Sequence, residues 1–456
     1  EAVSRRLNEW NHRLRGFREN YLMTARDYAE FGAYDEALAV LRQSKEEYPL
    51  LAYYQAYYEA QTAQKAENRS CVGRETGTIA ENAAEAAVSA VVSESLRLAE
   101  SYPYDYCFPN KPEDIAVLSF AVEHGCTARA PYYLGNLYYD RQQWEEADRL
   151  WSLCEQADPD FAPVRRNRAL LLYNRRGEKE QARAELEKAA ELEPQNVRLF
   201  LELDQLYKKL GMSFEERLAR CETKRDLVEK RDDLYIEYIT LVNLCGGYQK
   251  AYDCIMGHRF HPWEGGEGKI TAQYTLSLLG LARNAMAARD FKKAEELLRQ
   301  ALVYPENLGE GKLEGTKDNH IYYHLGLALE EQGREQEALE MYRLATIGTD
   351  EPAGAMYYND QPADMILYQG LAWQKLKESA KAKSRFYRLI DYGEQHLEDD
   401  VRIEYFAVSL PDFLIFEDDM NRKNRAHCCY LMALGNLGLG NREKAREFLK
   451  QASVWE

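Results

Sequence analysis

Self-similarity is the feature that most narrows what this 456-residue chain can fold into. The segment Tyr132 to Pro159 sets Leu134-Gly135, Tyr138, Ala147, Trp151 and Pro159 at spacings that describe two helices and a stop. Small residues at Gly135 and Ala147 let the two helices approach, bulky Leu134, Tyr138 and Trp151 fill the space beside them, and Pro159 ends the second helix. Such a pair cannot bury its own apolar face and has to stack on copies of itself. The alanine of the second helix acts as a ruler. It recurs at Ala37, Ala147, Ala182, Ala251, Ala294, Ala338, Ala382 and Ala445, with a degenerate copy at Glu216, which predicts nine units.

These landmarks are similar to those of the tetratricopeptide repeat, a helix-turn-helix unit of about 34 residues. They predict an all-α fold, a right-handed α-α superhelix with long inter-repeat loops. From Ala147 to Ala251 the period is regular, whereas from Ala251 onward each step is longer by roughly ten residues or more. The excess falls after a second helix and before the next first helix, at 258–269, 304–319, 349–364 and 392–422. Equivalent connections stack in a solenoid, so these four insertions are expected along one edge. Their aromatics, Trp263, Tyr304, Tyr357, Tyr358, Tyr405, Phe406, Phe413 and Phe416, are more than a solvated linker would hold. The chain then divides into a first unit over 1–64, an interruption over 65–127 with a long helix from Ile79 to Leu98, regular units over 128–257, and loop-bearing units over 258–456.

Composition removes several function classes. Net charge is −17 with no cluster of Lys and Arg, which argues against a nucleic-acid partner or an anionic membrane surface. No apolar run approaches the roughly 18 residues of a membrane span. The cysteines number nine, and Cys71, Cys107, Cys126, Cys154, Cys221, Cys245, Cys254 and Cys428-Cys429 follow no disulfide or zinc spacing, which fits a reducing, cytoplasmic compartment. The chain opens at Glu1 inside a helical pattern (Leu7, Trp10, Leu14, Phe17, Tyr21), so it is expected to be a piece of a longer protein with a domain or signal peptide ahead of it.

Several strings are more specific than the repeat consensus: "RDDLYIEYITLVNL", "FHPWEGGEGK", "YPENLGEGKLEG", "YYNDQPADMILYQGLA", "DYGEQH", "EYFAVSLPDFLIFEDD" and "NRAHCCYLMALGNLGLG". In these the chain resembles, from about Cys107 onward, an uncharacterised bacterial family in which a large N-terminal domain of unknown function precedes a tetratricopeptide array. The resemblance implies a β-rich, mutarotase-like or glycoside-processing region ahead of Glu1. It transfers no activity to the residues present.

The Gly-Glu-Gly-Lys strings at 266–269 and 309–312 resemble phosphate-cradling loops but lack the G-x-x-x-x-G-K-[ST] spacing, since Ile270 and Leu313 follow the lysines. Their bland reading is a pair of compact turns in which Glu and Lys knit one loop to the next. Their functional reading joins Trp263, Glu264, Glu267, Lys269, Glu310, Lys312, Tyr358, Asn359, Asp360 and Gln361 into a ligand or interdomain surface, an aromatic plate beside carboxylates and amides of the kind a sugar uses. His320 and His324 lie one turn apart without a Glu or Cys to complete a metal signature and read as a packed or surface pair. Cys428-Cys429 reads as core. Glu417, Asp418 and Asp419 read as solvated or as helix caps. A concave groove is expected at Tyr132, Asn136, Tyr139, Asn167 and Arg198. In the tetratricopeptide subgroup that clamps a C-terminal carboxylate, the corresponding cations are partly lost here, and Glu202 would repel such a ligand. Asn136 and Asn167 retain the capacity to bond an extended backbone.

The sequence thus points to a non-catalytic scaffold for protein-protein or interdomain binding, with no cofactor, no metal and no catalytic residue. Its expected partner is the N-terminal domain of the same polypeptide, or a separate protein or peptide. The alternative is an edge that completes a carbohydrate-binding or glycoside-processing site with that domain.

Overall fold

The computed structural model describes residues 12–70, 79–263, 265–354, 361–402 and 415–455, with side chains at all of these except 66–70, 79–88 and 455. The regular elements among the described residues are all helices. They form two compact units, Glu1–Pro194 and Gln195–Glu456.

In the first unit the helices are Arg18–Glu30, Tyr34–Leu41, Pro49–Ser70, Ile79–Ser101, Pro112–Glu123, Arg129–Asp140, Trp144–Ala157, Ala162–Leu171 (continued by a π-helical turn, Leu172–Arg176) and Lys179–Leu192. The ruler alanines Ala37, Ala147 and Ala182 are fully buried in helix contacts. Opposite Ala147, a Cβ on Gly135 would lie 2.5 Å from the Trp151 indole Nε1, so this crossing admits glycine only. Pro49, at the position after Ala37 that Pro159 holds after Ala147, does not stop a second helix. It opens the helix Pro49–Ser70, where a missing N–H costs nothing.

The interruption of the array is ordered through buried carboxylates. Pro49–Ser70 packs on the long helix Ile79–Ser101. Glu100, near the end of that helix, accepts Tyr53 Oη at 2.6 Å and the backbone N–H groups of Arg129 and Ala130 at 2.9 and 2.8 Å, and so caps the next repeat's first helix from outside. Asp114, 1% exposed, accepts the N–H groups of Asn110 and Lys111 and the Tyr54 hydroxyl, and pairs with Arg26 at 2.5 Å. The irregular stretch before Pro112 is thereby tied to two helices.

The second unit contains Val197–Lys209, Phe214–Thr223, the short Arg225–Val228, Asp232–Leu244, Tyr248–Met256, Lys269–Ala287, Phe291–Ala301, Asn319–Glu331, Glu335–Leu344, Met365–Lys375, Ser379–His396, Met420–Gly438 and Arg442–Trp455. Ala251, Ala294, Ala338 and Ala382 again sit in the contacts, where Gly326 and Gly370 leave room for the rings of Tyr342 and Phe386. The degenerate copy differs. Glu216 is exposed and forms a reciprocal cap with Ser213, while its neighbour Arg217, 1% exposed, holds Asp204 at 2.6 Å and Glu237 at 2.6 Å. An ion-pair network takes the place of the small-residue contact there. The insertion read at 392–422 is also shorter than expected, because the second helix runs on to His396.

Buried cysteines pack as small apolar groups. Burial pushes the thiols of Cys107, Cys126, Cys154 and Cys221 up to about 12, and the Cys428 thiol to about 11, so they are protonated and inert at neutral pH.

Candidate functional site

The edge insertions were the first candidate. Insertions 258–269 and 304–319 touch directly: Phe260 N–H donates to Asn307 O at 2.8 Å, and the Asn307 amide donates to Ile255 O and His258 O, both at 2.8 Å. Gly268 N–H donates to Glu310 Oε2 at 2.8 Å, and Gly265 N–H donates to Glu267 Oε2 at 2.8 Å. Burial pushes the Glu310 carboxyl above the usual range. Lys312 pairs with Asp318 at 2.7 Å, donates to Leu302 O and lies over the Tyr304 ring. Lys269 lies over Trp263, whose indole also packs on Gly266 and on the unit's apolar core. Of the residues expected to share a surface, Trp263, Glu267, Lys269, Glu310 and Lys312 therefore come together. They do so by bonding to one another and to the loop backbone. Gln361 is used elsewhere, donating to Thr349 O at 2.9 Å, and Glu264, Tyr358, Asn359 and Asp360 lie outside the described residues.

The expected groove positions in the first unit are occupied with packing. Asn136 Oδ1 accepts the Trp151 indole N–H at 3.1 Å and the Asn167 amide at 2.8 Å, so these two side chains hold each other across adjacent first helices. Tyr132 packs edge-on against Phe161 and Tyr139 against Trp144 and Trp151. Beside them Arg165, Arg168 and Arg176 line a cleft of about 380 Å³ and are met by Glu145, Asp148, Glu155 and Glu185. The cleft's cations are thereby compensated. In the second unit Arg198 is held by Glu202 at 2.8 Å.

A third surface is formed by the first helices of the second unit. His320, Tyr323 and His324 on one helix meet Tyr368 on the next at ring-centroid distances of 5.9, 6.0 and 5.7 Å. His324 Nδ1 lies 2.7 Å from His320 O, and burial lowers the His320 imidazole to about 4. Burial also lowers the His324 imidazole, so the pair is packed, and among the described residues no group of three or more His, Cys, Asp and Glu could hold a metal. Tyr430, 38% exposed on the following first helix, is raised by burial and then by Asp364 and Tyr368, which makes these three electrostatic neighbours. None of Tyr323, Tyr368 and Tyr430 stands out by a motif of its own. Counting back three residues from the position opposite each ruler alanine, Gly326 or Ala433, marks Tyr323 and Tyr430.

The acidic run near the last repeat corrects an expectation. Glu417 is exposed and Asp419 caps its helix by accepting Arg422 N–H at 3.0 Å, but Asp418 is neither solvated nor a cap. Its side chain is 10% exposed and pairs with both Lys209 and Lys423. Phe416, two residues earlier, is 1% exposed.

Stacked helix pairs, with a small residue at most of the crossings, define a helical-repeat protein. The tetratricopeptide-repeat family model matches residues 166–196 and 320–346. Similar solved structures include the Cut9–Hcn1 hetero-tetramer of APC/C (12% identity, covering 96% of this chain and 90% of that one, TM-score 0.29). The P58(IPK) TPR domain (11% identity, 96% and 97% covered, TM-score 0.28) and the human IFIT1 dimer with PPP-AAAA (14% identity, 95% and 90% covered, TM-score 0.29) are further ones. At these scores no partner is carried over. Among the described residues no helix is long and apolar enough to cross a membrane.

Proposed function

We propose that the chain is a non-catalytic scaffold that presents the first-helix face of its second unit to a protein or peptide, in trans or from the same polypeptide. The observation that carries this reading is the run of Tyr323, Tyr368 and Tyr430 on three successive first helices, with Tyr430 still 38% exposed. Tyrosine offers wide, stiff contact area at low entropic cost and a hydroxyl for backbone groups. The carbohydrate reading of the edge loops has less support, since Glu267 and Glu310 already accept backbone N–H groups and Lys312 is paired. A cytoplasmic location agrees with the protonated, unpaired thiols.

The test is a selection from a displayed random-peptide library on the whole chain, repeated with Tyr323→Ala and Tyr430→Ala. Enriched peptides whose binding drops in both variants, with melting temperature kept, support the scaffold. Enriched peptides indifferent to both variants, or no enrichment at all, overturn it.

A further inference from the structure

The segment before the last repeat is seated as a bound peptide would be. Residues 415–419 have no regular secondary structure, and their side chains alternate: Phe416 is buried, Glu417 exposed, Asp418 nearly buried and Asp419 exposed. Alternate burial of this kind is how a bound peptide is read, through pockets for alternate side chains. One of the two partners of Asp418 is distant in sequence. Lys209 closes the helix Val197–Lys209, the first of this unit, whereas Lys423 lies in the first turn of Met420–Gly438, the unit's last first helix. The Lys209 side chain is itself 19% exposed, so a carboxylate between these two ammonium groups is partly desolvated, which sharpens its preference for opposite charge.

We propose that Phe416 and Asp418 form an internal ligand, and that the site they fill, with Lys209 and Lys423 at its polar end, is a docking site for a partner segment of the same chemistry: a peptide carrying an aromatic residue two positions before a carboxylate. The proposal rests on the scaffold reading and adds to it a specificity and a built-in competitor. A tethered ligand competes at an effective concentration in the millimolar range, and an incoming peptide binds more weakly by the fraction of time the site stands empty. A partner is then admitted only when it matches the internal segment and outcompetes it.

The measurement is fluorescence anisotropy of a labelled peptide, Ile-Phe-Glu-Asp-Asp, with the whole chain. With the parent, weak binding is expected. With the double variant Phe416→Ala/Asp418→Asn, which vacates the site, binding should tighten by about tenfold or more. Adding Lys209→Glu should abolish that gain, and a peptide with Ala for Phe and Asn for Asp should not bind. Asp418→Asn alone serves as the milder variant where the double one melts early, with a smaller gain in the same direction. Equal affinity in parent and vacated forms overturns the proposal, as does no binding to a vacated form that retains its helical circular dichroism. If the parent selects library peptides without the aromatic-x-acid pattern, this inference fails while the scaffold reading stands.

Discussion

Gly268 donates its backbone N–H to the carboxylate of Glu310 at 2.8 Å, so one Gly-Glu-Gly-Lys string is pinned by the other. The doubled motif is therefore a joint between two insertions separated by a whole helix pair. Its glycines are not equivalent. Gly268 and Gly309 have φ of 77° and 72°, and a Cβ on Gly309 would meet Phe260 O at 2.5 Å, whereas one on Gly311 would meet nothing within 4 Å. Gly309→Ala should cost about 2 kcal/mol or more through strain and clash, and Gly311→Ala less than about 0.5 kcal/mol. Urea denaturation of the two variants checks the contrast; equal stabilities would show the joint to be slack.

Trp263 follows from the same joint. An aromatic set aside for a ligand would be dispensable to the fold, but this indole packs on Gly266 and against the buried cluster that contains Phe260 and Ile270. Trp263→Ala should lower stability by about 2 kcal/mol, at the low end for loss of a large aromatic because the side chain is only partly buried. A melting temperature unchanged from the parent would return Trp263 to the pool of ligand residues.

Arg26 and Asp114 carry the ordering of the interrupted region. Arg26→Met removes the cation paired with a carboxylate that is 1% exposed, and leaves it donors from Asn110, Lys111 and Tyr54. The expected loss is about 3 kcal/mol, since breaking a buried pair from one side leaves a charge without its partner. The Arg26→Met, Asp114→Asn double variant should recover part of it. Failure of the double variant to gain on the single one would assign the loss to packing of the arginine stem.

The repeat was legible because its signal is steric: a small residue opposite a large ring at fixed spacing, as at Gly135 and Trp151 or Gly370 and Phe386, is written directly in the sequence. Where the contact is electrostatic the signal fails, so Glu216 reads as the alanine's counterpart although Arg217 beside it fills the crossing. Pro49 shows the same limit in another form, since proline stops one helix and starts the next with the same ring. The candidate surfaces were less legible. Residue types alone do not tell whether Asn136 faces a ligand or Asn167, nor that Asp418 reaches Lys209 from the far end of the unit. Those pairings depend on how successive repeats turn, which no local spacing encodes.

His320 provides a test of the packed first-helix face through pH. Burial, then the positive potential of His324 and Lys312, lowers its imidazole from the ordinary 6.5 to about 4. The unfolded chain therefore binds a proton below pH 6.5 that the folded chain refuses until about pH 4. Stability from this group is complete above pH 6.5 and is lost as pH falls toward 4, by at most about 3 kcal/mol for a shift of this size. His324 and His427, also lowered by burial, add slopes of the same sign. Replacing His320 by Phe keeps a ring against Tyr368 and removes the titration. The variant should then lose less stability than the parent between neutral pH and pH 4.5, so the gap between the two proteins moves in the variant's favour as acid is added. Urea denaturation of both across that range reads the difference directly. Parallel pH profiles would mean that the imidazole titrates as freely in the folded chain as in the unfolded one, and that the face holding Tyr323, Tyr368 and His320 is open to water.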